Sequence, residues 1–275
     1  MTFSIVARSE DGDSWGVAVA SKFLAVGSVV PAGVAGIGAV ATQADANVAW
    51  KTEALGMLDD GATADVALAR LVEDDAGASH RQAGIVDVEG GAAAHTGADC
   101  LPWAGHLVGD GVSMQGNVLG GPEVLEAMRA SWDAGAGEPD LGRRLVAALQ
   151  AADRAGGDRR GRQSAALLVV REGAGYAGRD DVAVDLRVDD HPDPCTELAR
   201  LLDLNRLYLT ASSEEEKVPL DDDLRAELEA LARATGQRDL AAWVGCENYE
   251  MRVDLESRPG WVDVLVLQAL RDTAR

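Results

Sequence analysis

The chain has 275 residues, enough for one large domain, or one domain with a small appendage, around a real core. Its 46 acidic against 25 basic residues leave a formal charge of −21, which repels phosphate backbones and anionic headgroups, so neither nucleic acid nor a membrane is an expected partner. At 47% hydrophobic it is too apolar for charge-driven disorder, no apolar run reaches the ~18 residues that span a bilayer, and no basic-then-apolar leader opens it, which predicts a cytoplasmic protein.

In chain order, Thr2 to Arg8 alternates with Phe3, Ile5 and Ala7 on one face and Thr2, Ser4 and Val6 on the other. The turn Ser9-Glu-Asp-Gly-Asp13 then returns a second strand from Trp15 to Ser21. Gly33 to Gln43 reads as a small-residue loop feeding a buried strand near Ile37 to Thr42. Two helices follow, one over Asn47 to Asp60 stopped by Gly61, the other capped by Thr63 with Leu68, Leu71 and Val72 inward. Strands resume at Gln82 to Val88 and Ala92 to Thr96. Pro122 opens a helix packing Val124, Leu125, Met128 and Trp132, and Leu141 to Arg154 is another, packing Leu145, Val146 and Leu149. Ser164 to Arg171 is a continuous apolar strand and Val182 to Val188 an alternating one. Strands, two helices, strands, two helices and strands suit two stacked, mainly antiparallel sheets with helices on both outer faces: an α+β fold of αββα layering. Its expected core includes Ile5, Val17, Val19, Val40, Ile85, Leu167 and Val169. The run Ser212-Ser-Glu-Glu-Glu-Lys217 marks a solvated joint, and Asp223 to Thr235 is an amphipathic helix stopped by Gly236. The expected division is a domain over 1–205, a linker over 206–219 and a helical extension over 220–275.

Only three lysines occur (Lys22, Lys51 and Lys217), while Ala, Val, Gly, Asp and Glu dominate. That profile fits a halophilic host, where salt screens repulsion between surface carboxylates; codon bias in a GC-rich genome is the competing source. Cys100, Cys195 and Cys246 are odd in number and widely spaced, which argues against a disulfide framework or structural zinc and for a reducing compartment.

The chain has no GxSxG, GxxxxGK[ST] or HExxH motif. Gly33-Val-Ala-Gly36-Ile-Gly38 has the glycine density of a dinucleotide loop but precedes a strand rather than opening a helix, so no nucleotide cofactor is expected. Asp189-Asp190-His191-Pro-Asp193-Pro reads as a turn before a helix rather than as a metal site. The informative residue is Thr2. Initiator methionine is removed before small residues, and a free amino-terminal threonine holds a hydroxyl nucleophile beside an α-amine whose reference pKa of about 7.7–8.0 leaves it substantially neutral at working pH. Lys22, ending the hairpin, would depress that amine's pKa and stabilise an anionic oxygen, or is an ordinary surface lysine. Gln115-Gly116-Asn117 either aims an amide at an oxyanion or forms an Asx turn. In the loop from Gly156 to Ser164, Arg159, Arg160 and Arg162 either clamp a substrate carboxylate or form a solvated basic loop, and Asp158 with Ser164 would orient the terminal amine.

Seven segments together resemble the DUF1028 family of bacterial and archaeal proteins, placed in the amino-terminal nucleophile (Ntn) hydrolase superfamily. They are Thr2-Phe-Ser-Ile-Val-Ala-Arg8, Trp15-Gly-Val-Ala-Val-Ala-Ser-Lys22, Gly38-Ala-Val-Ala-Thr-Gln43, Ala94-His-Thr-Gly97, Gln115-Gly-Asn117, Gly157-Asp-Arg-Arg-Gly-Arg-Gln-Ser164 and Asp185-Leu-Arg-Val-Asp-Asp-His-Pro192. The resemblance implies the αββα fold, amide-bond hydrolysis without a cofactor or metal, and Thr2 as nucleophile. Carried over position by position, it implies catalytic roles for Thr2, Lys22, Asn117, Asp158 and Ser164, and substrate binding by Gln43, Gln115, Arg162 and Gln163. The tail, around Glu247-Asn-Tyr-Glu-Met-Arg252 and Gly260-Trp-Val-Asp-Val-Leu-Val-Leu267, resembles an extension of some members described as peptidoglycan-binding. We read it instead as a docking or dimerisation element, with Trp243 and Trp261 in its core. The expected activity is cleavage of a small soluble amide, an N-acyl or ureido acid, through an acyl-Thr2 ester. The alternatives are a non-catalytic binding or scaffold protein and a chain that processes only itself.

Overall fold

The computed structural model describes residues 2–273. Met1, whose removal the amino-terminal chemistry requires, lies outside them. The chain divides into two compact units, Met1–Leu202 and Asp203–Arg275.

The first unit contains two antiparallel sheets. One has six strands: β1 (Thr2–Arg8), β2 (Trp15–Ser21), β7 (Gly105–Gly109), β8 (Val112–Asn117), β9 (Ser164–Val170) and β10 (Val182–Val188), in the order β10-β9-β2-β1-β8-β7. The other has four: β3 (Pro31–Val34), β4 (Gly38–Ala44), β5 (Arg81–Asp87) and β6 (Ala92–Thr96), in that order. The helices are α1 (Ala49–Asp59), α2 (Ala64–Asp74), α3 (Glu123–Ala134), α4 (Leu141–Arg154) and α5 (Pro194–Leu209), which runs across the boundary between the units.

The alternation in β1 sorts its side chains into two layers. Phe3, Ile5 and Ala7 pack with Leu125 and Met128 of α3 and Leu145 and Leu149 of α4. Val6, with Val17 and Val19 of β2, packs instead with Ala39 and Ala41 of β4 and Val86 of β5. On the far face of the smaller sheet, Val40, Ala83 and Ile85 pack with Trp50 and Leu58 of α1 and Leu68 and Leu71 of α2. Each Val, Leu, Ile, Phe or Met among them contributes about 1.5–3 kcal/mol through burial. The unit is thus an α+β sandwich, and all seven expected core residues are buried. The helix signals work as chemistry predicts: Thr63 Oγ1 caps α2 at the Val66 N–H, and Gly61 ends the previous turn at φ +90°.

Four expectations are corrected. Residues 105–117, read without strands, form the hairpin β7–β8; Val112 and Met114 do alternate with Ser113, Gln115 and Asn117, but the six-residue run is short, and its polar face is buried rather than solvated. The segment Pro31–Val34 is an edge strand rather than loop, a position where proline's missing N–H is harmless. The joint expected over 206–219 is shorter: α5 continues to Leu209 and β11 (Lys217–Leu220) begins inside that span, with a mostly exposed stretch between them. The tail is not purely helical, since β11, β12 (Val253–Asp254) and β13 (Gly260–Asp263) form an antiparallel sheet in the order β11-β13-β12 beside α6 (Asp222–Ala234), α7 (Leu240–Cys246) and α8 (Val264–Thr273). Strands of two to four residues are too short to print a period of two.

The second unit has its own core, with Leu228, Leu240, Trp243, Val262 and Val266. Trp261 is half-buried, with Lys217 Nζ 4.7 Å from its ring centroid. Arg252 is also buried, donating to Asp263 at 2.5 Å and to the carbonyls of Leu207 at 3.0 Å and Arg206 at 2.6 Å.

Candidate functional site

Thr2 begins the central strand of the larger sheet, opposite Asn117 of β8 on one side and, one step beyond the Phe3–Ala20 pair, beside Ser21 of β2 on the other. It is buried, and its Oγ1 lies 3.1 Å from Ser21 Oγ. Its carbonyl oxygen accepts from Gln43 Nε2 at 3.3 Å and Asn117 Nδ2 at 3.4 Å.

Behind Thr2 lies a layer of buried amides and hydroxyls between the sheets. Gln82, at the start of β5, accepts on Oε1 from Gln43 Nε2 at 2.8 Å and Asn117 Nδ2 at 2.9 Å. Its own Nε2 donates to Gly116 O at 2.8 Å, Thr96 Oγ1 at 2.9 Å and Gly105 O at 3.1 Å. Ser4 Oγ donates to Gln43 Oε1 at 2.7 Å and accepts from Gln115 Nε2 at 2.6 Å, while Ser113 Oγ donates to Gln115 Oε1 at 2.8 Å. Gly84 makes this layer possible: a Cβ there would collide with the Gln115 amide and the Ser113 hydroxyl. At the rim, Thr96 Oγ1 and His106 Nδ1 stand 2.9 Å apart. Partial burial, with a smaller effect of nearby His95, holds the His106 imidazole below its ordinary pKa.

On the other side of Thr2, the loop after β2 is tied down by the expected catalytic pair. Asp158 is buried, and its Oδ2 accepts the Lys22 N–H at 2.7 Å while Oδ1 accepts the Arg160 N–H at 2.8 Å. Ser164 Oγ donates to Phe23 O at 2.5 Å and accepts the Val26 N–H at 3.1 Å. Lys22 is exposed, with Nζ 3.3 Å from Arg162 O, and Phe23 and Leu24 follow it as an exposed apolar lip. Arg162 Nε donates to both carboxylate oxygens of Asp153, at 2.8 and 3.0 Å, an interaction that keeps its guanidinium firmly protonated. Gln163 contributes its carbonyl, which accepts the His191 N–H at 2.7 Å.

Of the expected residues, Gln43 and Asn117 contact the Thr2 carbonyl, whereas Lys22, Asp158, Arg162 and Ser164 belong to the loop cluster that follows β2. Gln43 and Gln115 are fully buried, and their amides are engaged inside the protein rather than offered to a substrate. Both amide hydrogens of Asn117 are taken, by Thr2 O and Gln82 Oε1, so Asn117 positions the threonine backbone instead of aiming at an oxyanion. Asp158 and Ser164 hold the segment from Lys22 to Val26 rather than a terminal amine. Sequence reasoning missed Ser21, Ser4 and Gln82. Ser21 was deducible from the hairpin register, and Gln82 from a lone amide opening an apolar strand. No group of three or more potential metal-ligating side chains occurs among the described residues, and no described helix is long and apolar enough to cross a membrane.

The fold and this polar end define an antiparallel α+β sandwich with a threonine poised at one end of its central strand. The chain belongs to the family of unknown function DUF1028, which matches residues 2–198. It is similar to the crystal structure of protein SPO2555 from Silicibacter pomeroyi, of that same family, at 34% identity and a TM-score of 0.67 over 74% of this chain and 89% of that one. No curated protein matches the sequence.

Proposed function

We propose that the protein is an Ntn-type amidohydrolase with αββα layering and Thr2 as its nucleophile. The observation that carries the reading is the placement of the Thr2 hydroxyl 3.1 Å from Ser21 Oγ, at the end of a strand whose carbonyl is clamped by Gln43 and Asn117. With Met1 removed, the neutral α-amine takes the hydroxyl proton as the oxygen attacks the amide carbonyl, then hands it to the leaving nitrogen. Water repeats the sequence on the acyl-Thr2 ester. Lys22, which follows Ser21, supplies positive charge to the oxyanion, and Arg162 with the Phe23–Leu24 lip suits a substrate pairing a carboxylate with an apolar acyl group. The same reading takes the substrate as a small N-acyl or ureido acid and the protein as a cytoplasmic homodimer whose second unit serves docking.

The internal hydrogen bonds of the Gln43, Gln115 and Asn117 amides favour a second reading, a binding scaffold without turnover. Intact mass decides first, because retained Met1 in the purified protein overturns catalysis. On protein verified to begin at Thr2, a screen of such amides is expected to find turnover that Thr2→Ala abolishes, by a factor of 10³ or more on the scale of about 10²–10⁴ for a single proton-transferring group, and that Thr2→Ser retains in part. Full activity in Thr2→Ala rejects the mechanism.

A further inference from the structure

At the other end of the seven-residue β1, about 20 Å from Thr2 by strand rise, lies a cavity of 340 Å³. Its walls carry two guanidiniums, Arg8 and Arg144, and three carboxylates, Glu10, Glu89 and Asp110. The two arginines are held differently. Arg144 is buried, with Cζ 3.7 Å from the Trp132 ring centroid, Nε donating to Trp132 O at 3.0 Å, and Nη1 paired with Glu10 at 2.7 Å. Arg8 packs 5.8 Å from the Trp15 ring centroid, yet among the described residues its guanidinium meets no carboxylate and no hydrogen-bond acceptor, and its Nε is buried without a partner. Among the described residues, Arg8 Nε is one of three buried side-chain polar atoms without a hydrogen-bond partner, the others being Arg225 Nε and Trp243 Nε1. A buried donor left unsatisfied costs about 1–3 kcal/mol, more when charged, so an oxygen supplied from outside removes a standing penalty.

The surroundings are shaped for such a guest. A Cβ at Gly12 would strike the Arg8 guanidinium, and at Gly90 it would lie 3.6 Å from Arg8 Nη1. Glu89 and Asp110 sit beside the glycine turns at Gly90 (φ +89°) and Gly111 (φ +63°), and among the described residues neither carboxylate has an ion-pair partner. A simple anion would face three carboxylates against two guanidiniums; a ligand of both signs satisfies each. We propose that this cavity binds a free α-amino acid, its carboxylate on the Arg8 fork and its ammonium group between Glu89 and Asp110.

Calorimetric titration of the full chain with single amino acids, their N-acetyl derivatives and acetate tests this. At least one amino acid is expected to bind with a Kd below about 1 mM. Arg8→Lys, which keeps the charge but not the fork, should weaken it tenfold or more. Glu89→Gln with Asp110→Asn should erase the preference over the N-acetyl form, and Thr2→Ala should leave binding unchanged. Amide shifts at Gly90 and Gly111 in the unmutated protein give a readout independent of the variants' folding. No binding by any amino acid at about 10 mM, unchanged affinity in Arg8→Lys, equal binding of the N-acetyl form, or shifts confined to the Thr2 end each overturns the proposal.

Discussion

Each unit holds a buried polar cluster, and these two clusters are of opposite kinds. In the first, Ser4, Gln43, Gln82, Ser113, Gln115 and Asn117 form an uncharged layer between two sheets. In the second, Arg252 faces Asp263 across 2.5 Å, with Ser212 Oγ on the same carboxylate and Glu216 3.4 Å from the guanidinium. A neutral layer costs less to desolvate and is indifferent to pH; an ion pair is strong only while both charges persist. The neutral layer belongs where a backbone atom must be held, since its amides end on the Thr2 carbonyl. The charged cluster instead ties chain segments together through the carbonyls of Arg206 and Leu207.

The sharpest way to break this contrast is Arg252→Met, which strands a buried carboxylate and should cost the second unit about 3–5 kcal/mol in a denaturant melt. Acid should act on the same cluster. Burial pushes the Asp263 carboxyl up, but Ser212, the Leu265 N–H and Arg252 together outweigh it and hold the group below its ordinary value. The Ser213 N–H, opposed by burial and aided by Arg252 and Arg206, does the same for Glu216. Carboxyls depressed in the native state contribute stability that is fully present above their unfolded values of about 3.9–4.3 and lost as pH falls through the native ones. Hydrogen exchange followed against pH should therefore show segments around Arg252 opening in acid before those around Gln43; the reverse order would erase the distinction.

Gln82→Ala comes next. It leaves Gln43 and Asn117 donors and the Gly105 and Gly116 carbonyls without their partner, and a loss of about 3 kcal/mol is expected by chemical denaturation, unaltered between neutral and mildly acidic pH. Ser4→Ala removes one hydroxyl from the same layer and should cost about 1–2 kcal/mol, readable in the same melts; no loss would mean that the layer re-pairs without it. The smallest effect is global: with a net charge of −21, the thermal midpoint should rise from low to molar potassium chloride, and a flat response would assign the composition to codon usage.

Periodicity and caps in the sequence determined the elements of the first unit wherever a face is apolar. The ends of β1, β2 and α4 match their expected residues, and every expected core residue is buried. The place of Thr2 at the start of β1 was legible too, because the alternation of the strand begins there. What the sequence by itself left undecided is where polar residues turn inward. The strand Val112–Asn117 alternates Val112 and Met114 with Ser113, Gln115 and Asn117, a pattern that reads as one buried and one solvated face; its polar side chains turn inward only because they are satisfied between the two sheets, a pairing that exists once residues 39 positions apart in sequence, such as Ser4 and Gln43, are brought together. The split of labour around Thr2 was decided the same way. Asn, Gln, Asp and Ser serve equally well as catalytic groups or as braces for a loop, and only tertiary contacts show which of their donors and acceptors are already engaged.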